Sequence, residues 1–274
     1  MSYLRECLKS DILCMSVGDG EMDLLRVENL SVSFFRPEGE IEALKNVSFS
    51  LREGEILAVM GETGCGKSVL CKSILKLLPD IAQIKTGHIC IRGEEITGCS
   101  EKQMRKLRGH FFSMVFQNPM TALNPCMSVG EQIAEAVRLR RPQLTGRERK
   151  KRAAELMELV GLNPPGERAK QYPFQLSGGM AQRCVIAIAL AAEPAVLFAD
   201  EATTALDVTV QAQILELFLE LRKRMGMSIV LVTHNPGVAA RTADRVALMR
   251  DGELFRIGDV EEIFEEIIYN QNLT

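Results

Sequence analysis

The chain has 274 residues, of which 46% are apolar and 25% charged, and its formal net charge is −3. This length predicts one α/β domain with a sizeable insertion, or two linked lobes. The composition is that of an ordinary globular protein, and so small a net charge gives no indication of a nucleic-acid partner. Eight cysteines occur without a C-x-x-C pair. They therefore indicate neither a zinc site nor a disulfide framework, and a reducing compartment fits best.

The first 22 residues differ in character from the rest of the chain. They carry charges and no continuous apolar core, which argues against a secretory signal peptide. Since Met22 stands just before a natural first strand, we expect residues 1–22 to be a leader that is either not translated or disordered. Residues 23–274 then form the folded domain. The longest apolar stretch, residues 184–199, is interrupted by Glu193-Pro194 and is shorter than the roughly 20 residues of a spanning helix.

Hydrophobic periodicity predicts an alternation of strands and helices after an initial β lobe. Alternating apolar residues between positions 24 and 51 predict short antiparallel strands. A buried strand at 55–60 leads through a glycine-rich loop into a helix at 68–78. Further predictions are helices at 100–107, 179–192 and 210–225, a charged helical lobe inserted at about 119–183, and strands at 111–116, 195–199, 228–232 and 245–249. Alternating β and α elements predict a largely parallel sheet.

The loop at residues 61–68 fits the phosphate-binding pattern G-x-x-x-x-G-K-[ST] in the strand-loop-helix context that it requires. Its glycines allow backbone angles that point N–H groups at phosphate oxygens. Lys67 adds a positive charge toward the β and γ phosphates, and Ser68 offers a hydroxyl to Mg²⁺. The predicted ATP-binding residues of this P-loop are Gly61, Glu62, Thr63, Gly64, Cys65, Gly66, Lys67 and Ser68.

Two carboxylates follow the apolar strand at 196–199. This arrangement suits phosphoryl transfer, which requires a Mg²⁺ ligand and a residue that orients water. Asp200 is therefore predicted to hold Mg²⁺, and Glu201 to polarise the attacking water.

The segment Leu176-Ser177-Gly178-Gly179, followed by Gln182-Arg183, resembles the signature of ABC-type ATPases. Ser177 and the N–H groups of Gly178 and Gly179 precede a helix and so form a second anion site. Together with the P-loop and the paired carboxylates, the signature makes nearly the whole chain resemble ABC transporter ATPase subunits. The resemblance implies a P-loop NTPase core whose signature, including Gln182, closes on the ATP of a second subunit packed head to tail.

Further roles follow from the same resemblance, residue by residue. Gln117 would reach Mg²⁺ and the attacking water, and Asp207 would lie in the D-loop that crosses the dimer interface. His234 would contact the γ-phosphate. Phe34 matches the aromatic residue that stacks on adenine, although Phe35 is an alternative.

Residues 116–125, 172–175 and 203–215 resemble the ATPases of bacterial oligopeptide, dipeptide and nickel importers. The implied cofactors are ATP and Mg²⁺. The implied partners are a second ABC ATPase subunit, homologous or identical, two membrane permease subunits and, indirectly, an extracytoplasmic solute-binding protein, with no nucleic acid. The expected location is peripheral, on the cytoplasmic face of the plasma membrane. The chain stops soon after residue 264 without a cysteine-bearing extension, which favours the nickel type.

Two alternatives stay open at this point. Phosphonate-metabolism ATPases also resemble this group, which would place the chain in a soluble complex. The basic run at 138–152 would suit a DNA-repair or translation protein, although such a run on helices is usually a solvated face.

The chain departs from the family pattern at three positions. Ala202 replaces proline, Asn235 replaces aspartate and Cys65 replaces serine. We expect the loss of proline to loosen the loop that carries Glu201, and Cys65 to confer sensitivity to thiol oxidation if its thiolate is exposed.

Overall fold

The structure is a computed structural model that describes residues 23–203 and 206–271. These residues form two compact units, one made of 23–106 and 228–271 and the other of 107–227. The predicted leader at 1–22 lies outside the described residues. The predicted helical subdomain at about 119–183 falls within the second unit. This unit extends beyond the predicted bounds on both sides and also includes strands and a further long helix.

Strands and helices alternate along most of the chain, as the periodicity predicts. In chain order the elements are β1 (Leu25–Arg36), β2 (Gly39–Leu51), β3 (Ile56–Met60), α1 (Lys67–Ile74), β4 (Ala82–Ile91), β5 (Glu94–Glu95), α2 (Glu101–Arg108), β6 (Phe112–Val115), α3 (Pro119–Ala122), α4 (Val129–Arg140), α5 (Gly146–Leu159), α6 (Pro165–Arg168), a 3₁₀ turn (Pro173–Gln175), α7 (Gly178–Ala191), β7 (Val196–Asp200), α8 (Val208–Met225), β8 (Ser228–Thr233), α9 (Pro236–Thr242), β9 (Arg245–Arg250), β10 (Glu253–Asp259) and α10 (Val260–Gln271).

The first unit contains an antiparallel sheet in the order β2-β1-β4-β5 and a mainly parallel sheet built around β3. Strand β3 pairs in parallel with β8 and β9, and β10 adds to β9 in antiparallel orientation. All five residues of β3 are buried. Continuous apolar runs of this kind are typical of strands covered on both faces. The predicted antiparallel β lobe and parallel sheet are both confirmed.

Strand β4 is an element that hydrophobic periodicity does not reveal. Its sequence is polar over much of its length, and it pairs with β1 through a register shift between Glu28 and Ser31. Gly87, in the middle, has a φ of 108°, and a Cβ there would lie 2.6 Å from the Cα of Leu30. The close approach of the two backbones at this point requires glycine, which also breaks the alternation.

The second unit combines the parallel strand pair β6 and β7 with the helices of the inserted lobe. Phe112 and Phe198, one on each strand, are both fully buried, with ring centroids 5.8 Å apart. Capping boxes begin α4 at Ser128 and α5 at Thr145, each closed by a glutamate three residues later. These boxes satisfy backbone N–H groups that have no partner inside the helix.

Several arginines of the basic run at 138–152 form ion pairs within this unit. Glu193 lies within ion-pair distance of three arginines, and Arg138 pairs with Glu135 on its own helix. The three partners of Glu193 are Arg140, Arg141 and Arg152. Such pairing does not favour a phosphate-binding surface, because nucleic-acid binding relies on cations that are free to neutralise phosphates.

The cysteines of this chain differ in their bonded state. Cys65, Cys71, Cys99, Cys126 and Cys184 are free thiols, whereas Cys90 is disulfide-bonded. The cysteine spacing indicates no disulfide framework and does not reveal the bonded state of Cys90. No helix among the described residues is long and apolar enough to cross a membrane.

Candidate nucleotide site

The P-loop follows directly from β3 and ends at the start of α1. Gly66 is the N-cap of α1, with a φ of 107°, and Gly64 has a φ of 90°. Both angles lie in the region that favours glycine. A Cβ at Gly61 would overlap the carbonyl oxygen of Met249, and one at Gly66 would lie 2.8 Å from the carbonyl oxygen of Ala43. Neighbouring backbone therefore fixes the loop where N–H groups at the helix N-terminus can receive phosphate.

The Lys67 side chain is held by the loop itself. It is only 4% exposed, and its Nζ donates hydrogen bonds of 2.7 Å to the carbonyl oxygens of Gly61 and Glu62. Cys65 Sγ lies 3.9 Å from the same Nζ and is likewise buried. The ammonium group is thus already positioned beside the helix N-terminus. The exposed thiolate that oxidation of Cys65 would require is not observed.

His234 lines the same cavity as the start of the P-loop. This cavity, of about 490 Å³, is bounded by residues that include Gly61, Thr63, His234, Arg250 and Phe255. The Arg250 guanidinium lies 5.2 Å from the centroid of the Phe255 ring. The structure therefore brings His234 and the P-loop together, as the resemblance implies.

Phe34 is not among the residues that line this cavity. It lies half-buried on β1, paired with Ile41 of β2, and the alternative residue Phe35 is 43% exposed. Adenine stacking by Phe34 therefore stays a prediction.

In the second unit, the paired carboxylates lie at the end of β7. Asp200 is 6% exposed, and Glu201 turns the chain with a φ of 48°, which is unusual for a residue with a side chain. Gln117, which follows β6, donates a hydrogen bond of 2.9 Å from Nε2 to Glu201 Oε2. Ala202 is 2% exposed. A buried residue therefore anchors the turn where the family pattern has proline.

The signature begins α7. Ser177 is the N-cap, and its hydroxyl accepts a hydrogen bond of 3.4 Å from the N–H of Met180. A Cβ at Gly179 would lie 2.6 Å from Cγ1 of Val210 in the first turn of α8. Gly179 is thus required for helix packing as well as for its predicted contact with nucleotide.

Asp207 and Gln182 occupy contrasting positions near the signature. Asp207 is exposed and is the N-cap of α8, where its Oδ1 accepts a hydrogen bond of 2.9 Å from the N–H of Val210. Gln182 is 1% exposed, and neither of its amide atoms has a hydrogen-bond partner among the described residues. Its side chain lies in the protein interior, and its contact with nucleotide stays a prediction.

Asn235 and Arg183 form defined hydrogen bonds, although the sequence analysis gave neither of them a positioning role. Asn235 is the N-cap of α9, and its Oδ1 accepts from the N–H of Gly237 at 2.9 Å. An asparagine serves this purpose as well as the aspartate of the family pattern. Arg183 donates to the carbonyl oxygen of Val160 and, at 3.2 Å, to Gln213 Oε1. The only sequence signal for Arg183 is its place after Gln182.

The predicted site residues divide between the two units. The first unit contains Phe34, the P-loop and His234, and the second contains Gln117, Ser177, Gly178, Gly179, Gln182, Asp200, Glu201 and Asp207.

A second cavity, of about 290 Å³, lies in the second unit beside the segment that follows Gln117. Its lining is mainly apolar and includes Phe116, Ala122 and Leu139, with Arg108 and Arg140 as charged members. Leu139 is 71% exposed, so the apolar surface extends to the outside.

Comparisons with known proteins agree with this geometry. Residues 44–204 match the family described as ABC transporter. The chain is 50% identical over 242 residues to the dipeptide transport ATP-binding protein DppD of Bacillus subtilis (strain 168), covering 88% of this chain and 72% of the relative. The oligopeptide transport ATP-binding protein OppD of the same strain is also 50% identical over 242 residues, covering 88% and 67%.

A solved structure gives the same fold. The dimeric post-hydrolysis state of the ATP-binding cassette MJ0796 bound to ADP and Pi superposes with a TM-score of 0.77 at 31% identity, covering 86% of this chain and 98% of that one.

Proposed function

The chain belongs to the ABC transporter family, among the ATP-binding proteins of dipeptide and oligopeptide importers, and is an ATPase coupled to transport; from this premise we propose that it hydrolyses ATP with Mg²⁺ to drive peptide uptake. It acts at the cytoplasmic face of the plasma membrane, in a head-to-tail dimer of two cassettes. The second cassette is either identical to this chain or a related subunit.

The observation that carries this proposal is the hydrogen bond of 2.9 Å between Gln117 Nε2 and Glu201 Oε2. An amide donor on one carboxylate oxygen leaves the other oxygen as the acceptor for the proton of a water molecule. Glu201 has a left-handed backbone conformation directly after the buried strand β7. We therefore assign Glu201 as the general base in this proposal, with Gln117 as the residue that orients it.

Each remaining group has a role in holding the phosphates. Lys67 and the N–H groups at the start of α1 neutralise the phosphate oxygens, and His234 binds the γ-phosphate. Ser68, Gln117 and Asp200 have the oxygen donors that Mg²⁺ prefers and would hold the ion. When bound, Mg²⁺ neutralises charge that develops on the transferred phosphoryl group.

In the proposed dimer, the signature of one chain contacts the ATP that is bound to the P-loop of the other chain. Ser177 and the first N–H groups of α7 offer donors to an anion, but no lysine follows them as Lys67 follows the P-loop glycines. A second cassette completes the arrangement by adding its own signature. The dimeric state of the ADP-bound relative supports this reading.

Two membrane permease subunits transmit the movement, each docked on the second-unit cavity that includes Phe116 and Leu139. An apolar floor suits the apolar face of a short amphipathic helix. Peptides are the proposed cargo because DppD and OppD are dipeptide and oligopeptide transport proteins. A solute-binding protein outside the membrane would select them.

The substitution Glu201→Gln tests the catalytic assignment. It removes the base but keeps the shape and the hydrogen-bonding capacity of the side chain, so ATP should bind and trap a dimer while phosphate release falls at least about a hundredfold. Gel filtration with ATP and a phosphate assay measure the two effects. Lys67→Ala is the matched control, since it should weaken nucleotide binding itself. Normal phosphate release by Glu201→Gln would refute the assignment.

Purification of tagged Glu201→Gln from native membranes with ATP and Mg²⁺ tests the partners. Mass spectrometry should identify two polytopic membrane proteins and a second ATPase. Recovery with soluble enzymes, ribosomes or DNA alone would refute the transport role.

A further inference from the structure

Arg183 is a half-buried arginine on α7, six residues after the N-cap Ser177. One guanidinium nitrogen, Nη1, donates to the carbonyl oxygen of Val160, the C-cap residue of α5. This carbonyl lies at the negative end of the α5 dipole, which favours a cation. Desolvation by the surrounding protein lowers the pKa of Arg183, and an arginine side chain keeps its positive charge in proteins.

The chain next to Val160 is shaped around this guanidinium. Gly161 has a φ of 75°, and a Cβ at this position would lie 2.8 Å from Arg183 Nη1. Glycine suits this backbone angle, and a methyl group here would displace the guanidinium.

The same side chain reaches a third helix. Its Nη2 donates at 3.2 Å to Gln213 Oε1 on α8, the helix whose N-cap is Asp207. The first turns of α7 and α8 also touch directly, because Val210 lies against Gly179 and the Leu206 Cδ2 atom would lie 3.6 Å from a Cβ at Gly178. Arg183 thus bonds both to the helical lobe and to the D-loop helix.

We infer that Arg183 is a positioning residue which fixes the signature relative to α5 and α8, so that Ser177 and Asp207 are presented together to the second cassette. The inference rests on the proposed function, since it concerns the surface that meets a second cassette's nucleotide. Two fork-like donors are needed, because the carbonyl of Val160 and the amide of Gln213 lie on different helices. A lysine carries all its donors on a single nitrogen, so we expect it to replace the two separate guanidinium contacts only in part.

The test compares Arg183→Ala and Arg183→Lys with wild type by the ATP concentration that gives half-maximal turnover. A misplaced signature weakens the ATP-bound dimer, so we expect this concentration to rise about tenfold for Arg183→Ala, equivalent to about 1.4 kcal/mol, and less for Arg183→Lys. A merely structural role would reduce the fraction of active protein and so lower kcat alone. Nucleotide binding to the P-loop of the single chain should be unchanged in both variants.

A second pair of variants decides the question if Arg183→Ala does not fold. Gly161→Ala places a methyl group against the guanidinium, whereas Gly226→Ala has a comparable φ of 64° with nothing within 4 Å of the added Cβ. Both variants carry backbone strain, so only Gly161→Ala should raise the half-maximal ATP concentration. Gln213→Leu should raise it as well, because it removes the acceptor on α8.

The outcomes separate this inference from the proposed function. In the Glu201→Gln background, ATP should form dimers with wild-type Arg183 and about tenfold fewer with Arg183→Ala at subsaturating ATP. Equal half-maximal concentrations in all variants would overturn the inference. Failure of Glu201→Gln itself to dimerise with ATP would instead overturn the proposed function.

Discussion

At the scale of the residue, two predicted nucleotide ligands and the neighbour of a third also cap a helix. Ser177 caps α7, Asp207 caps α8 and Asn235, next to His234, caps α9. The oxygen that binds a backbone N–H fixes the loop in front of the helix, and that loop carries the site. The departure from the family pattern at Asn235 is therefore conservative, because the amide oxygen keeps the cap.

The thiols differ in reactivity because their burial differs. Cys184 is buried on α7, and burial raises the pKa of its thiol to about 12, whereas Cys126 is exposed. The thiolate is the reactive form, so iodoacetamide at pH 8 should label Cys126 within minutes and leave Cys184 unmodified. Peptide mass spectrometry of the native protein measures both. Labelling of Cys184 at a comparable rate would contradict the burial.

At the scale of the element, long periodic segments are readily predicted from sequence and strands with backbone irregularities are not. The strand at 55–60, the P-loop and α8 follow from apolar runs and glycine spacing. Strand β4 does not, since Gly87 and its polar neighbours hide the alternation that pairing with β1 imposes. The inward position of Gln182 is equally invisible, because the signature pattern does not say which face of α7 is buried.

The capping box of α4 makes a prediction about pH. Hydrogen bonds from the Ser128 hydroxyl and backbone N–H lower the pKa of the Glu131 carboxyl below its ordinary value of 4.5. A lowered pKa means that the capping contribution is complete above 4.5 and is lost as the pH falls through the folded-state value. Carbon-13 NMR of Glu131 should show the low midpoint, and Ser128→Ala should move it back toward 4.5. An unchanged midpoint in that variant would exclude the serine as the cause.

The strand pair β6 and β7 makes a prediction about stability. Phe198 is fully buried against Phe112, so Phe198→Ala leaves a cavity and should cost about 3–5 kcal/mol of unfolding free energy. Phe174→Ala is the control, because Phe174 is 71% exposed and its loss should cost less than about 0.5 kcal/mol. Urea unfolding followed by circular dichroism gives both values. Similar costs would mean that the aromatic pair does not stabilise the unit.

At the scale of the whole molecule, the order of motifs predicts the fold and the family because each motif requires its own strand and helix. Positioning contacts such as that of Arg183 with Val160 join residues that are distant in sequence, so no local sequence pattern predicts them. The division into two compact units is similarly a property of the three-dimensional contacts.

For the whole molecule we predict how the protein is held at the membrane. In the proposed importer the permease subunits hold the ATPase at the membrane, so attachment should depend on them. Cells that express the permeases should carry the protein in the membrane fraction, from which carbonate at high pH releases it. Cells without them should carry it in the supernatant. Immunoblots of the fractions measure this, and resistance to carbonate would argue for direct insertion.

The contact between Gly179 and Val210 changes how mutations of the signature are to be interpreted. A side chain at position 179 would collide with Val210, three residues after Asp207, so it would disturb the first turn of α8 as well as the backbone N–H of the signature. Loss of ATPase activity in a Gly179 variant could therefore come from the signature or from the segment that carries Asp207. Such a loss would not prove that Gly179 binds nucleotide. Ser177→Ala removes only a hydroxyl, so it is the better probe for genetic studies of the dimer.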